Sequence, residues 1–195
     1  MRQNPERRAA LVDAAIEVLA AEGARGLTFR AVDAWAAVPN GTASNYFANR
    51  DDLLTQAGGR IYERLHPGAS AMADSLTGPR DRERLAKLMR DVVDRITEFR
   101  SGYLALLELR LEATRRPELR AVLTRTIRAD LDANIERHLK TGLPGDTTVV
   151  VLLYLALNWL IVERLTLPDI FPESRIHDLI NDAVDRLLPP DTPAR

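Results

Sequence analysis

The chain contains no cysteine among its 195 residues, which excludes disulfide bonds and metal sites built on thiolates. Lysine is also scarce, because the 27 basic residues comprise 25 arginines and two lysines. The net charge of −1 gives the chain no bulk attraction to nucleic acid. Any binding to phosphate must therefore depend on where individual charges lie.

Apolar runs of membrane-spanning length are missing as well. Residues 1–8 are charged and polar with no apolar run after them, so no signal peptide is predicted. The longest apolar stretch, residues 149–162, is interrupted by Asn158 and is shorter than the roughly 20 residues of a bilayer span. We therefore expect a cytoplasmic protein without a membrane partner.

The residues that usually carry catalysis are sparse and scattered. His66, His138 and His177 are isolated, without metal-ligand spacing and without an evident serine or cysteine partner. A glycine-rich phosphate loop is absent too. These absences argue against an enzyme, and the sequence predicts no metal site and no cofactor.

What the chain does contain is helical periodicity, over a composition that is 46% hydrophobic and can form a substantial core. Turn-forming Gly and Pro residues separate the apolar stretches and predict helices near 82–100, 102–115, 117–140, 147–166 and 173–188. No alternating strand pattern of useful length occurs. The predicted fold class is all-α.

The amino-terminal 56 residues predict a helix-turn-helix. A helix from about residue 5 to 21 ends before Gly23, and a second helix begins after Thr28, whose hydroxyl can cap it. A third helix is expected over residues 40–47, and Asn49 is placed to cap the next one. Two short helices crossing steeply can place the second in the major groove of DNA.

Two runs within this segment carry a family resemblance. They read Gly41-Thr42-Ala43-Ser44-Asn45-Tyr46-Phe47 and Arg50-Asp51-Asp52-Leu53-Leu54. They resemble the recognition helix and following helix of the TetR family of bacterial transcriptional repressors. The resemblance is specific over residues 10–56. Residues 106–110 through 116–120 more loosely resemble the carboxy-terminal domains of some members.

The resemblance implies a DNA interface made of small and polar side chains. Positions near base edges correspond to Asn40, Thr42, Ala43 and Asn45, and positions that face the DNA backbone correspond to Thr28, Arg30, Ser44 and Arg50. Gly41 and Tyr46 complete the predicted interface. As alternatives, Arg30 and Arg50 are solvated surface charges, and Asn45 is an exposed polar residue. Asn pairs well with adenine, while Thr and Ser reach bases or phosphates.

Four positions depart from the family pattern. Ala37 stands where glycine is usual, at a cost of about 1 kcal/mol if the backbone is left-handed. Pro39 replaces a capping Ser or Thr and supplies no cap. Ser44 replaces a tyrosine that often contacts phosphate. Asp33 occupies a position that is normally small and apolar, so it must find solvent or a partner.

The resemblance also implies the domain organisation. Residues 1–48 form a three-helix DNA-binding domain. Residues 49–189 form a ligand-binding and dimerisation domain of about six helices, with a connector over 49–75, and residues 190–195 form a disordered tail.

A helix over 147–165 that is apolar almost all round must be buried on more than one side. In family members the last two long helices form a four-helix bundle with those of a second subunit; the alternative is burial within one chain. The predicted homodimer interface comprises Leu153, Leu157, Leu160, Ile161, Ile176, Leu179, Ile180 and Val184.

The remaining helices are expected to enclose a cavity for a small-molecule effector. The candidate lining residues are mostly aromatic or apolar, and each has plain core packing as its alternative: Tyr62, Met89, Phe99, Tyr103, Leu107, Asn158 and Trp159. Because no obvious charge pair accompanies them, a hydrophobic or aromatic effector is favoured over an anionic one.

The sequence therefore predicts a ligand-responsive regulator that binds double-stranded DNA at an inverted-repeat operator. It is expected to act as a homodimeric repressor that a small hydrophobic effector releases from DNA. The alternative is a helical small-molecule carrier or adaptor whose DNA-binding module has lost its function.

Overall fold

A computed structural model describes residues 4–188, and every regular element within that range is helical. The predicted tail over 190–195 lies outside the described residues. Nine α-helices and one 3₁₀ turn follow one another: α1 (Pro5–Gly26), α2 (Phe29–Trp35), a 3₁₀ turn (Ala43–Asn45), α3 (Arg50–Leu65), α4 (Ala69–Ser75), α5 (Arg82–Glu98), α6 (Arg100–Ala113), α7 (Pro117–Thr141), α8 (Thr147–Thr166) and α9 (Glu173–Leu187). The predicted all-α fold is confirmed.

Helix boundaries coincide with capping residues. The Asn4 side chain accepts hydrogen bonds from the amides of Glu6 and Arg7 at the start of α1, and Asp146 caps α8 through the amide of Val149. Gly23 has a φ of +68°, a left-handed conformation that glycine adopts without strain, and it interrupts α1 where the sequence predicted the helix to end.

The chain divides into two compact units. Unit 1 contains residues 4–66 and 99–128, so α6 and the first half of α7 belong with the amino-terminal helices. Its core includes Leu11, Ile16 and Leu19 of α1, all fully buried, packed with residues such as Leu54 and Leu109. The predicted division at residue 48 is a functional boundary and remains a prediction.

Unit 2 contains residues 67–98 and 129–188, and its helices α5, α8 and α9 pack on one another. Leu85, Leu153 and Val184, one from each helix, meet in its core. Arg164 of α8 forms an ion pair with Asp94 of α5 at 3.2 Å, which ties the two helices together at their carboxy-terminal ends.

Helix α8 presents a second apolar face that unit 2 does not cover. Leu155 is 57% exposed and Trp159 is 64% exposed. By length and composition alone α8 could cross a membrane. Of its most apolar 18 residues, 28% are buried within the chain. One such helix is weak evidence for a membrane span, because a core helix of a soluble protein passes the same test.

Candidate nucleic-acid interface

The segment between α2 and α3 has the layout of a helix-turn-helix. The Thr28 hydroxyl accepts a hydrogen bond from the Ala31 amide at 3.1 Å and caps α2, as predicted. The Asn49 side chain does the same for α3 through the Asp52 amide at 2.9 Å. Between them the backbone turns at Ala37, whose φ of +51° is the left-handed conformation that the family pattern fills with glycine.

The prediction of a helix over residues 40–47 is wrong, because the segment forms a turn instead. We call residues 39–47 the recognition turn, because only residues 43–45 are regular and they form a 3₁₀ turn. Side chains compete here for backbone carbonyls, since the Thr42 hydroxyl donates to the Pro39 oxygen at 2.5 Å and the Ser44 hydroxyl to the Gly41 oxygen at 2.9 Å. Such local bonds, together with the positive φ of Gly41, disfavour a regular α-helix.

Asp33 finds its partners in this turn. Its side chain is buried, with 1% exposed. One carboxylate oxygen accepts from the Gly41 amide at 2.7 Å, and the other accepts from the Ala43 amide at 2.7 Å. A departure from the family pattern thus becomes the contact that fastens the recognition turn to α2.

Most of the predicted DNA-binding side chains lie at the surface. Six residues are exposed: Thr28, Arg30, Asn40, Gly41, Ser44 and Asn45. Thr42 and Tyr46 are half-buried. Ala43 is a correction, because its side chain is fully buried in the core of unit 1 and serves packing rather than base contact.

Arg50 has a structural role that the sequence did not reveal. Its guanidinium donates to the Leu27 carbonyl at 3.0 Å and to the Ala24 carbonyl, which closes the end of α1. The Arg30 side chain, by contrast, makes no hydrogen bond or ion pair with residues 4–188, and it lies on the first turn of α2. A phosphate contact remains a prediction for both residues.

Arg8 supports the carboxy-terminal end of the recognition turn, and sequence reasoning missed it. Its guanidinium donates to the Tyr46 carbonyl at 2.5 Å and to the Gln56 side chain at 2.6 Å, and it lies over the Phe47 ring. The Gln56 amide in turn donates to Asp52 at 2.7 Å. Nothing in the spacing of α1 distinguishes Arg8 from other arginines on the same helix.

Helix α6 and the turn that follows it contact the amino-terminal helices at three points. Ser101 donates to Glu17 at 2.8 Å. A carboxylate oxygen of Glu108 accepts from the Ala24 amide at 2.9 Å. At the third point Arg116 forms an ion pair with Asp51 in the first turn of α3, and Glu112 fixes Arg116 at 2.9 Å.

The hydrogen bond from Arg116 lowers the pKa of the Glu112 carboxyl below its ordinary value of 4.5. The same bond raises the pKa of the Arg116 guanidinium, so both side chains stay charged near neutral pH.

The predicted effector-lining residues do not fall into one unit. Tyr62, Phe99, Tyr103 and Leu107 belong to unit 1, where Tyr103 is buried. Met89, Asn158 and Trp159 belong to unit 2. The Asn158 amide donates to the Tyr154 carbonyl one turn earlier at 2.7 Å.

The predicted dimer-interface residues lie mostly inside unit 2. Leu153, Leu157, Ile161, Ile176, Ile180 and Val184 are buried within the single chain, and Leu160 and Leu179 are half-buried. The six buried residues pack within unit 2, and the dimer assignment remains a prediction. Because α8 is apolar on both sides, the sequence did not show which side packs against α5 and α9. The exposed side carries Leu152, Leu155 and Trp159 instead.

A cleft of about 260 Å³ lies within unit 1, where the first turn of α3 faces the start of α7. Its lining comprises Asn49, Asp51, Asp52, Leu54, Thr55, Arg116, Glu118 and Leu119, and it includes none of the predicted effector residues. Among residues 4–188 no group of three or more His, Asp or Glu side chains is placed to hold a metal ion.

Comparison with protein families matches both halves of the chain. The model of bacterial regulatory proteins of the tetR family matches residues 11–57, and the model of the tetracyclin repressor-like carboxy-terminal domain matches residues 80–190. The chain belongs to the TetR family. The TetR model that matches residues 11–57 covers the helix-turn-helix, so residues 28–50 lie in the family's DNA-binding region.

Several solved structures resemble the chain over nearly its whole length. The multidrug binding protein EbrR in complex with ethidium is 30% identical, with 95% of this chain and 100% of that one covered and a TM-score of 0.64. EbrR with imidazole is 28% identical over 98% of each chain, with a TM-score of 0.64. A TetR-family member from Streptomyces coelicolor A3 is 28% identical over 95% and 99%, with a TM-score of 0.68. No curated protein sequence matched the chain.

Proposed function

We propose that this TetR-family protein is a homodimeric transcriptional repressor that binds an inverted-repeat operator and leaves it when a small hydrophobic effector binds. It acts in the cytoplasm and has no enzymatic activity. The observation that carries the proposal is the exposed recognition turn, anchored in unit 1 and presenting small polar side chains within the family's DNA-binding region.

The recognition turn supports contact with DNA by its chemistry. Asn40 and Asn45 are exposed and can pair with base edges, while the Ser44 hydroxyl can reach a base or a phosphate. Arg30, on the first turn of α2, supplies a positive charge for the DNA backbone. With Ala43 assigned to the core, the base-contacting set is Asn40, Thr42 and Asn45.

The uncovered face of α8 supports a dimer. Leu152, Leu155 and Trp159 form an apolar stripe, and Ile170 and Phe171 in the segment after α8 are exposed too. A stripe of this kind is stabilised when a second copy covers it, and a twofold axis makes the same stripe serve both subunits. Two recognition turns then address half-sites about 34–36 Å apart.

The effector is inferred from the relatives and from residue types. EbrR, at 30% identity, is a multidrug binding protein with a structure in complex with ethidium, an aromatic compound. The candidate lining residues of this chain are themselves mostly aromatic or apolar. The roles of these seven residues in effector binding remain predictions. Substituting those of unit 1 and those of unit 2 in separate variants tests which set binds the effector.

Helix α6 supports a route from effector to DNA. Ser101 and Glu108 of α6 contact α1, whose Arg8 supports the recognition turn, and the adjoining Arg116 contacts α3, which follows that turn. An effector that binds better to a state with these contacts rearranged lowers DNA affinity by the same coupling free energy, typically 1–3 kcal/mol.

The proposal is tested by mixing the purified full-length protein with sheared DNA from its own genome and sequencing what it retains. The expected result is enrichment of a few sites that share an inverted repeat, and loss of that enrichment for Asn45→Ala. Retention of no DNA at low salt, or retention without a shared sequence, overturns the proposal and favours the carrier alternative.

A further inference from the structure

The backbone amides of the recognition turn are bound by the Asp33 carboxylate, and Pro39 provides no side-chain cap for them. Pro39 stands at the position where the family pattern has a capping Ser or Thr, and its carbonyl accepts from the Thr42 amide, three residues on, at 3.1 Å in a turn. A proline side chain has no acceptor, so Pro39 cannot cap the Gly41 amide, and the Ala43 amide lies beyond the reach of a cap at residue 39. Both amides are instead taken up by Asp33, which lies on α2.

We propose that Asp33 is a positioning residue for DNA recognition, because its carboxylate replaces the missing cap at Pro39 and fixes the recognition turn to α2. The inference rests on the proposed DNA-binding function. Asp33 is buried and therefore does not touch DNA itself. It acts through the backbone that carries Asn40, Ser44 and Asn45.

The placement of Asp33 makes it more than a cap. A cap on residue 39 would belong to the recognition turn alone, whereas Asp33 belongs to α2, which also carries Thr28 and Arg30. Its two charge-assisted hydrogen bonds, both 2.7 Å long, therefore set the position of the base-reading turn relative to the phosphate-facing helix. Sequence-specific binding needs both parts in register, while non-specific binding needs only charge.

The charge of Asp33 makes the test sharp. Removing an acidic residue from a chain of net charge −1 strengthens attraction to phosphate, so simple electrostatics predicts tighter binding for Asp33→Ala. Loss of positioning predicts the opposite for the operator, because two amides lose their acceptor and the turn is released. The two effects differ in sign.

The experiment compares full-length wild type, Asp33→Ala, Asp33→Asn, Pro39→Ser and the double variant Asp33→Ala/Pro39→Ser. Fluorescence anisotropy at one fixed salt concentration measures their affinity for two duplexes. One is the site most enriched from genomic DNA by the wild type, and the other has the same composition in shuffled order. Circular dichroism reports the folded fraction of each protein.

We expect Asp33→Ala to bind the enriched duplex about tenfold more weakly or worse, and the shuffled duplex as well as wild type or better. Asp33→Asn keeps the side-chain volume and one acceptor, so its affinity for the enriched duplex should lie between those of wild type and Asp33→Ala. Pro39→Ser alone should change little. In the double variant the serine hydroxyl can cap the Gly41 amide but not the Ala43 amide, so part of the operator affinity should return.

Glu22→Ala is the matched control, since it removes an exposed acid from α1 without touching the recognition turn. It should bind the enriched duplex as well as wild type or better. Rescue of the Asp33→Ala protein by Pro39→Ser supports the proposal even if Asp33→Ala alone is poorly folded, because a purely local packing defect at residue 33 would not respond to a hydroxyl at residue 39.

The proposal is overturned if Asp33→Ala keeps wild-type affinity for the enriched duplex. It is also overturned if Pro39→Ser restores neither folding nor operator affinity in the Asp33→Ala background. A wild-type protein that does not distinguish the two duplexes refutes the proposed DNA-binding function instead, and that result is obtained before any variant is made.

Discussion

At the scale of single residues, Ala37 carries strain that the helix-turn-helix requires. Its φ of +51° costs an alanine roughly 1–2 kcal/mol, whereas glycine adopts this conformation freely. The gain from glycine is reduced by the larger entropy that glycine loses on folding. We expect Ala37→Gly to raise the free energy of unfolding by about 0.5–1 kcal/mol, measured by urea denaturation. Ala34→Gly, in the exposed part of helical α2, is the control and should be destabilising.

Glu112 predicts a pH dependence of stability. Because Arg116 lowers the pKa of Glu112 in the folded state, the carboxylate stabilises the fold above its ordinary pKa of 4.5. That contribution is lost as the pH falls through the lower folded-state pKa. The difference in unfolding free energy between wild type and Glu112→Gln should therefore be present at neutral pH and shrink as the pH falls below 4.5. A difference that stays constant with pH would contradict this assignment.

At the scale of elements, α8 carries the proposed dimer interface on the face that unit 2 leaves uncovered. We expect Leu155→Asp to convert the dimer to monomers, because it places a charge in the middle of the apolar stripe. Light scattering coupled to size-exclusion chromatography measures the mass. Leu139→Asp is the matched control, since Leu139 of α7 is 53% exposed and Leu155 is 57% exposed. Equal masses for the two variants would refute this interface.

The elements also show what sequence could and could not predict. Helix boundaries from residue 82 onward were predicted within about two residues, because Gly and Pro mark them and periodicity fills the intervals. The caps at Thr28 and Asn49 were predicted for the same local reason. The recognition turn was mispredicted as a helix, since its form depends on Asp33 from another element, which no local pattern contains.

The side of α8 that packs within the chain could not be predicted for a related reason. Helix α8 is apolar all round, so periodicity identifies no preferred side, and tertiary packing decides which side is buried. Ala43 was likewise assigned to DNA by its place in the motif, and the fold placed its methyl group in the core.

At the scale of the whole molecule, the low net charge shapes the kind of DNA binding that is possible. Non-specific affinity comes from neutralised phosphates and falls with salt in proportion to their number. A chain of net charge −1 with no arginine among the residues of its recognition turn should have weak non-specific binding. Its discrimination must then come from side chains held in position, which is the role proposed for the recognition turn and for Asp33.

The most direct test of this account is the ratio of two affinities of the wild-type protein. Its dissociation constant for the duplex most enriched from genomic DNA is compared with that for a shuffled duplex, at about 150 mM salt. The account predicts a ratio of about 1,000 or more, within the range of specific DNA-binding proteins. Equal dissociation constants would contradict it and would leave the helical body, without its DNA-binding role, as the functional part of the molecule.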